Sequence, residues 1–282
     1  MTPRGTDARP GGRPGLTADG HIAREGSLAR VQDAFRPVVA AVRDRLPYAH
    51  GERLHSAYLY GSVPRGAARA GRSDLDLLVA LRDEPTDADR RAARVFGAAL
   101  DQEFAQIDGV GLLVYGRDRL LSEAERYDMG WFTACLCTPL LGEDLAARLP
   151  RYRPGDPLLA RETNGDLARL LPRWRERIAA AEAADGTEEA LRPLVRFMSR
   201  HLVRTGFTLV MGRWQGWTSD LHEMAAAFGT YHPDRAAHMA AAAAHGYDPV
   251  GDRALLRFCT DDLGPWLAAE YARVHGVKAP RP

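Results

Sequence analysis

Two patterns in the chain predict an α/β (α+β) domain with a short mixed sheet, followed by an all-α helical bundle domain. In the first half, short apolar runs with strand-like alternation are separated by amphipathic helical stretches. In the second half, apolar residues recur only at three- and four-residue spacing, the stripe of packed helices. Between the halves, Pro150, Pro154, Gly155 and Pro157 interrupt both periodicities and mark a linker.

Taken in order, residues 1–25 are rich in Gly, Pro and Arg, carry almost no large apolar groups, and predict a tail without structure. Leu28, Val31, Phe35, Val38, Val39 and Val42 recur at helical spacing and predict a helix over Ser27 to Arg45. Tyr58-Leu59-Tyr60 and Leu75 to Leu81 read as strands, 87–104 as a second helix, and Val110 to Tyr115 as a third strand. The first domain is thus expected over 26–149, the linker over 150–159, the helical domain over 160–275, and a short tail over 276–282. In the helical domain, Leu167, Leu170, Leu171, Trp174 and Ile178 form one stripe, and Leu191, Leu194, Val195, Met198, Leu202 and Leu209 another. The Ala-rich stretch 236–244 and residues 252–274 predict two more helices.

Composition narrows the function classes. A net charge of +1 over 282 residues gives no overall field for nucleic acid or an anionic membrane, and no segment has the length and apolarity of a membrane span. Lys278 is the only lysine, so any phosphate clamp must be built from arginine. Cys135, Cys137 and Cys259 are too few for a disulfide framework and are expected as buried thiols. With no signal-peptide core at the start, the expectation is a cytoplasmic enzyme.

The densest chemistry lies in SAYLYGSVPRGAARAGRSDLDLLVAL. Alternate residues of a strand share a face, so Asp74 and Asp76 point one way while Leu75 and Leu77 point into packing. Two adjacent carboxylates repel unless a cation lies between them, and an oxygen-only pair suits hard Mg²⁺, which commonly takes one or two carboxylates plus substrate phosphates. Upstream, Gly61 lets the backbone come close to a ligand, and the N–H groups from Ser62 onward can hold a phosphate as a backbone nest does.

Gly61-Ser62 with Asp74-x-Asp76 resembles the signature of the polymerase-β-type nucleotidyltransferases, and GSVPRG is similar to the GSxARG form of their minimal and antibiotic-modifying branches. The motif and its flanking strands cover about a quarter of the chain. The resemblance implies that the Gly-Ser turn grips a triphosphate, with Gly61, Ser62, Arg65, Arg72 and Ser73 on the ATP or other NTP co-substrate. It also implies that Asp74 and Asp76 bind two Mg²⁺ ions for transfer of a nucleoside monophosphate to a hydroxyl. The order of a small α/β domain and then a helical bundle resembles the aminoglycoside nucleotidyltransferases, implying a small-molecule acceptor, antibiotic resistance, and a helical domain that supplies acceptor contacts.

In GRWQGWTSDLHEM, Trp214, Trp217, Asp220, His222 and Glu223 offer rings and acids suited to a cationic, hydroxyl-rich acceptor. The same residues also suit a turn between helices with core tryptophans and Ser219 or Asp220 as N-cap. Arg196, Arg200 and Arg204 share one helical face, as phosphate ligands or as a solvated surface, and Arg196 with His201 has the R-x4-H spacing of the HEPN ribonucleases. The resemblance leads one to expect a third acid on the strand after the Asp pair, where this chain has Gly111. Asp108 shares a face with Val110 and Leu112 on a regular strand, unless a bulge at Gly109 redirects it. Otherwise the base comes from Glu223, His222 or Asp220. Two alternatives stay open: a nucleotide-binding regulator with incomplete catalysis, and an antitoxin-like protein adenylyltransferase acting on a HEPN partner.

Overall fold

The computed structural model describes residues 14–281, which form two compact units: residues 23–151, and residues 14–22 with 152–281. The first is built on a four-stranded sheet, β1 (Leu54–Tyr60), β2 (Leu75–Leu81), β3 (Val110–Gly116) and β4 (Thr138–Gly142), in the order β3-β2-β1-β4. β2 and β3 are parallel while β1 runs antiparallel to both β2 and β4, so the sheet is mixed. Its helices are α1 (Arg36–His50), the single turn α2 (Ser62–Arg65), α3 (Asp87–Glu103) and the short α4 (Arg117–Leu120).

Alternation along the strands divides the apolar residues between the two faces. On one, Leu59, Leu75, Leu77, Val79 and Leu81 pack with Phe35, Val38, Val42 and Leu46 of the α1 region and with Phe96 and Leu100 of α3. On the other, Tyr58, Leu78 and Ala80 pack with Leu120, Cys137 and Leu145. Leu75 and Leu77 through Leu81 have no exposed surface, so β2 is held from both sides as a central strand.

Several boundaries differ from the sequence expectation. The stripe predicted as one helix over Ser27–Arg45 begins as two 3₁₀ turns, Leu28–Arg30 and Asp33–Phe35, and α1 starts only at Arg36. Gln32 is extended, and Pro37 fits the first helical turn, where its missing N–H has no role. β4 contains Pro139, which masks a strand in sequence but is tolerated at a sheet edge. It is preceded by two π-helical turns, Arg126–Gly130 and Phe132–Leu136, that no periodicity announces.

Of the tail expected over 1–25, residues 1–13 lie outside the described residues, and 14–25 are packed. Ile22 is buried and bonds Tyr152, and the Trp217 N–H donates to Pro14 O. Arg24 grips Asp144 through two hydrogen bonds of 2.7 and 3.1 Å. Satisfied backbone groups and a few anchors order this segment despite its composition.

The helical unit comprises α5 (Pro157–Asn164), α6 (Leu167–Ala184), α7 (Glu188–Trp214), α8 (Leu221–Tyr231), α9 (Ala236–Tyr247), α10 (Arg253–Arg257) and α11 (Gly264–His275). Pro157, read as linker punctuation, instead opens α5, with Asp156 accepting from the Leu158 N–H at 2.9 Å as N-cap. The single helix expected over 252–274 is α10, a π-helical turn over Phe258–Leu263, and α11. Pro265 has no N–H to donate to a regular helical ladder there. Past α11, the Lys278 N–H bonds Gly165 O at 2.9 Å, so the short C-terminal tail is tied down at least this far.

All three cysteines are free and buried, as expected. Burial pushes Cys135 up to about 12 and Cys259 up to about 11, so neither is a ready nucleophile. Among the described residues no helix is long and apolar enough to cross a membrane.

α3 starts in a capping box whose acid is shared. The Thr86 Oγ1 accepts from the Asp89 N–H, and Asp89 accepts from the Thr86 N–H at 2.7 Å and from Arg53 at 3.0 and 2.9 Å. Burial opposes ionisation of Asp89, but the bonds from Arg53 and Thr86 outweigh it and bring its pKa from 3.8 to about 2. A depressed carboxyl pKa stabilises the fold fully above the unfolded value and loses that contribution as pH falls toward the folded one. Asp89→Asn is therefore expected to lower the unfolding free energy by about 2 kcal/mol at neutral pH. Urea melts should show the difference from wild type shrinking between pH 4 and 2.

Candidate functional site

β1 ends at Tyr60, and the chain turns at once through Gly61 into α2. Gly61 has φ +78 and ψ −149, a conformation that side-chain-bearing residues rarely adopt. The turn is closed by the Ala67 N–H donating to Ser62 O at 3.0 Å and by Arg65, whose Nε donates to Gly61 O at 2.9 Å. Arg65 also pairs with Glu25 at 3.6 Å. It thus braces the turn from behind, a role the sequence did not suggest for it.

Asp76 is the second residue of β2, and the sheet register fixes its neighbours: Tyr60 on β1 and Gly111 on β3 lie directly beside it. A Cβ built on Gly61 would collide with Asp76 Oδ2, and one built on Gly111 would come within 2.7 Å of Oδ1. The Asp76 carboxylate therefore sits in a notch that exists because two neighbouring residues have no side chain. Asp74 lies two residues upstream, with its Oδ1 3.8 Å from where a Cβ of Gly109 would be. Gly109 has φ +119 and so departs from strand geometry. The segments before β2 and β3 are laced together by Leu75 N–H to Gly109 O at 3.0 Å and Asp108 N–H to Ser73 O at 3.1 Å.

The structure thus gathers Gly61, Ser62, Arg65, Asp74 and Asp76 at one end of the sheet. Ser73 is adjacent, its hydroxyl accepting from the Arg69 N–H at 2.9 Å. Arg72 and Asp108 are exposed, and the Asp108 carboxylate has no hydrogen bond or ion pair among the described residues. No group of three or more His, Cys, Asp or Glu side chains gathers as a metal site among those residues, so no third acid stands with the pair. The donor set of two carboxylates, seated against glycines at 61, 109 and 111, fits a hard divalent cation that completes its shell with substrate oxygens.

Tyr60 is the residue that sequence reasoning passed over. Its hydroxyl lies 3.8 Å from the Cβ position of Gly111, beside Asp76, and its ring meets Phe132 edge-on at 4.9 Å. In the sequence it reads only as one more apolar strand residue; the register that brings it beside Asp76 is a long-range property.

In the helical unit, Trp214 and Trp217 both pack edge-on against Phe207, at 5.4 and 5.6 Å, and Trp217 is buried. Asp220 is the N-cap of α8, accepting from the His222 and Glu223 N–H groups at 2.9 and 3.0 Å and from the Tyr247 hydroxyl at 2.8 Å. Burial works against its ionisation, but the bonds from Glu223, Tyr247 and His222 prevail and lower its pKa. Glu223 accepts from the Thr218 hydroxyl at 2.6 Å. Each of these residues thus has a structural partner within its own unit. His201 of the R-x4-H spacing is wedged beside Trp174, 5.3 Å between ring centres, and burial pulls its pKa to about 4, which leaves it neutral at pH 7.

No protein-family model matches the chain, and no curated protein matches it. Among solved structures it is similar to a spectinomycin adenyltransferase from Enterococcus faecialis, crystallised with ATP and spectinomycin. The identity is 13% and the TM-score 0.45, over 84% of this chain and 98% of that one.

The capping role of Asp220 makes a prediction independent of any ligand. Asp220→Ala should lower the unfolding free energy by about 1 kcal/mol, and Asp220→Asn by less, because asparagine also caps helices well. Chemical denaturation followed by circular dichroism measures both.

Proposed function

We propose that this chain is a Mg²⁺-dependent nucleotidyltransferase that moves a nucleoside monophosphate, AMP from ATP as first choice, to a hydroxyl of a small molecule such as an aminoglycoside-like antibiotic. One observation carries the reading: the Gly61-Ser62 turn and the Asp76 carboxylate, fifteen residues apart in sequence, abut directly, the carboxylate taking the space that side chains at 61 and 111 would need. A phosphate gripped at the turn would therefore lie within reach of the carboxylates.

In this reading the backbone N–H groups beyond Gly61 orient the β- and γ-phosphates, and Arg65 keeps the turn in its open form through Gly61 O. Asp74 and Asp76 would hold the metal, which supplies Lewis-acid polarisation of the α-phosphate and charge neutralisation on the leaving group. The acceptor oxygen bonds to the α-phosphorus, the bond to the bridging oxygen breaks, and pyrophosphate leaves. The hydroxyl proton passes to a base, for which Asp108, exposed near Ser73, and Glu223 are the candidates. Trp214, Trp217 and Asp220 are proposed to contact the acceptor, and Arg72 and Ser73 the nucleotide.

Gly111 favours a second reading, a nucleotide-binding regulator. The position beside Asp76 on the neighbouring strand, where a third acid would lie, has no side chain.

Labelled ATP, CTP, GTP and UTP with Mg²⁺ and a panel of aminoglycosides separate the two readings. The transferase gives a labelled acceptor and pyrophosphate; the regulator binds nucleotide and releases neither. For the transferase, Asp74→Asn and Asp76→Asn should each lower turnover at least about 100-fold with the fold intact. Near wild-type turnover in either variant would remove that residue from the metal site. Gly61→Val should abolish binding of a fluorescent nucleotide, because its side chain would enter the Asp76 carboxylate and oppose the positive φ.

A further inference from the structure

β3 ends the sheet, and no strand among the described residues pairs with its outer edge. Such an edge offers unpaired N–H and C=O groups to another chain, and proteins usually blunt it with charge, proline or a bulge. The sequence of β3, VGLLVYG, has neither charge nor proline, and its pairing with β2 runs through all seven residues without a register shift. Residues 110–115 are only half-buried.

The flank above this edge is also open. Because β2 and β3 are parallel and α3 joins them, α3 runs antiparallel to β3, and Gly97 stands over Leu112 and Val110. Between the outer side of α3 and the strand lies a groove of about 490 Å³ floored by Val110, Leu112 and Val114. Arg90 and Arg94 stand at one end of it and Asp101 at the other. The side chains of these three make no hydrogen bond or ion pair among the described residues. Val95 on the same helix is 71% exposed.

Cations at one end, an acid at the other and an apolar middle form a surface that matches itself when turned end for end. Residues 90 and 101 are separated by about 16 Å along the helix, and their midpoint falls close to the level of Leu112. Antiparallel pairing centred on Leu112 would set Val110 against Val114 of the second copy and Leu112 against its own counterpart, keeping all three on the α3 face in both copies. The same dyad would bring Arg90 toward Asp101 of the second copy, and Asp101 toward Arg90, as an isologous interface requires.

We propose that the chain forms a two-fold dimer through antiparallel pairing of β3 with β3 of a second copy, joining two four-stranded sheets into one of eight strands. The dimer would also pair the strand that carries Gly111, so that both edges of the row containing Asp76 lie within a continuous sheet.

Sedimentation equilibrium of the full chain across the micromolar range tests this, with Arg90→Glu, Asp101→Arg and the two combined. Wild type should dimerise. Each single reversal acts at two symmetric contacts and should weaken the dimer about threefold to tenfold, and the combined variant should return to wild-type affinity by restoring the pair with its sign exchanged. Hydrogen exchange should show the β3 amides gaining protection as protein concentration rises. A chain that stays monomeric throughout, including one that binds only an extended peptide of another protein at this edge, would overturn the proposal. So would a dimer indifferent to the reversals and without added protection in β3.

Discussion

The Asp76 carboxylate and the Gly61 turn compete for one small volume, and the candidate site depends on how that competition is resolved. A side chain at position 61 would overlap Oδ2, and one at 111 would crowd Oδ1. Gly61 also carries a backbone angle of φ +78, so the close approach and the turn need glycine for separate reasons. Keeping the notch requires that β1, β2 and β3 hold their register, since a slip of one residue in β2 would send Asp76 to the opposite face.

The packing fixes that register. β2 is buried on both faces, with Leu75, Leu77 and Val79 against the α1 and α3 layer and Leu78 and Ala80 against the other. A slip would bury Asp74 and Asp76 in the first layer without partners, at a cost of several kcal/mol for each ionised group. The turn is fixed independently through Arg65, and the N-terminal segment is pinned by Arg24 on Asp144. Tyr60, held between Phe132 and the Asp76 row, links the π-helical segment to the sheet end.

Local signals made the central part of this arrangement legible. The period-two apolar run of Leu75–Leu81 identified β2 and the face of Asp76, and the helix read over 87–104 matches α3 almost to the residue. What escaped depends on partners distant in sequence. β4 hides behind Pro139, which an edge position tolerates, and the packing of residues 14–25 rests on a few anchors such as Ile22 and Arg24 rather than on composition. The pairing of Tyr60 and Gly111 with Asp76 is a matter of register, invisible until the strands are aligned. Asp220 was legible both as a helix cap and as a binding group; the structure supplies the cap contacts.

The claim on which the functional reading turns is that the glycine turn and the aspartate pair form one site, in which nucleotide and metal depend on each other. Paramagnetic titration of Mn²⁺ against the protein, with and without a non-hydrolysable ATP analogue, tests it most directly. If they share one site, the analogue tightens Mn²⁺ binding, Mn²⁺ tightens analogue binding by the same factor, and Asp76→Asn removes the coupling. Nucleotide binding that is indifferent to the metal, in wild type and in Asp76→Asn alike, would contradict it.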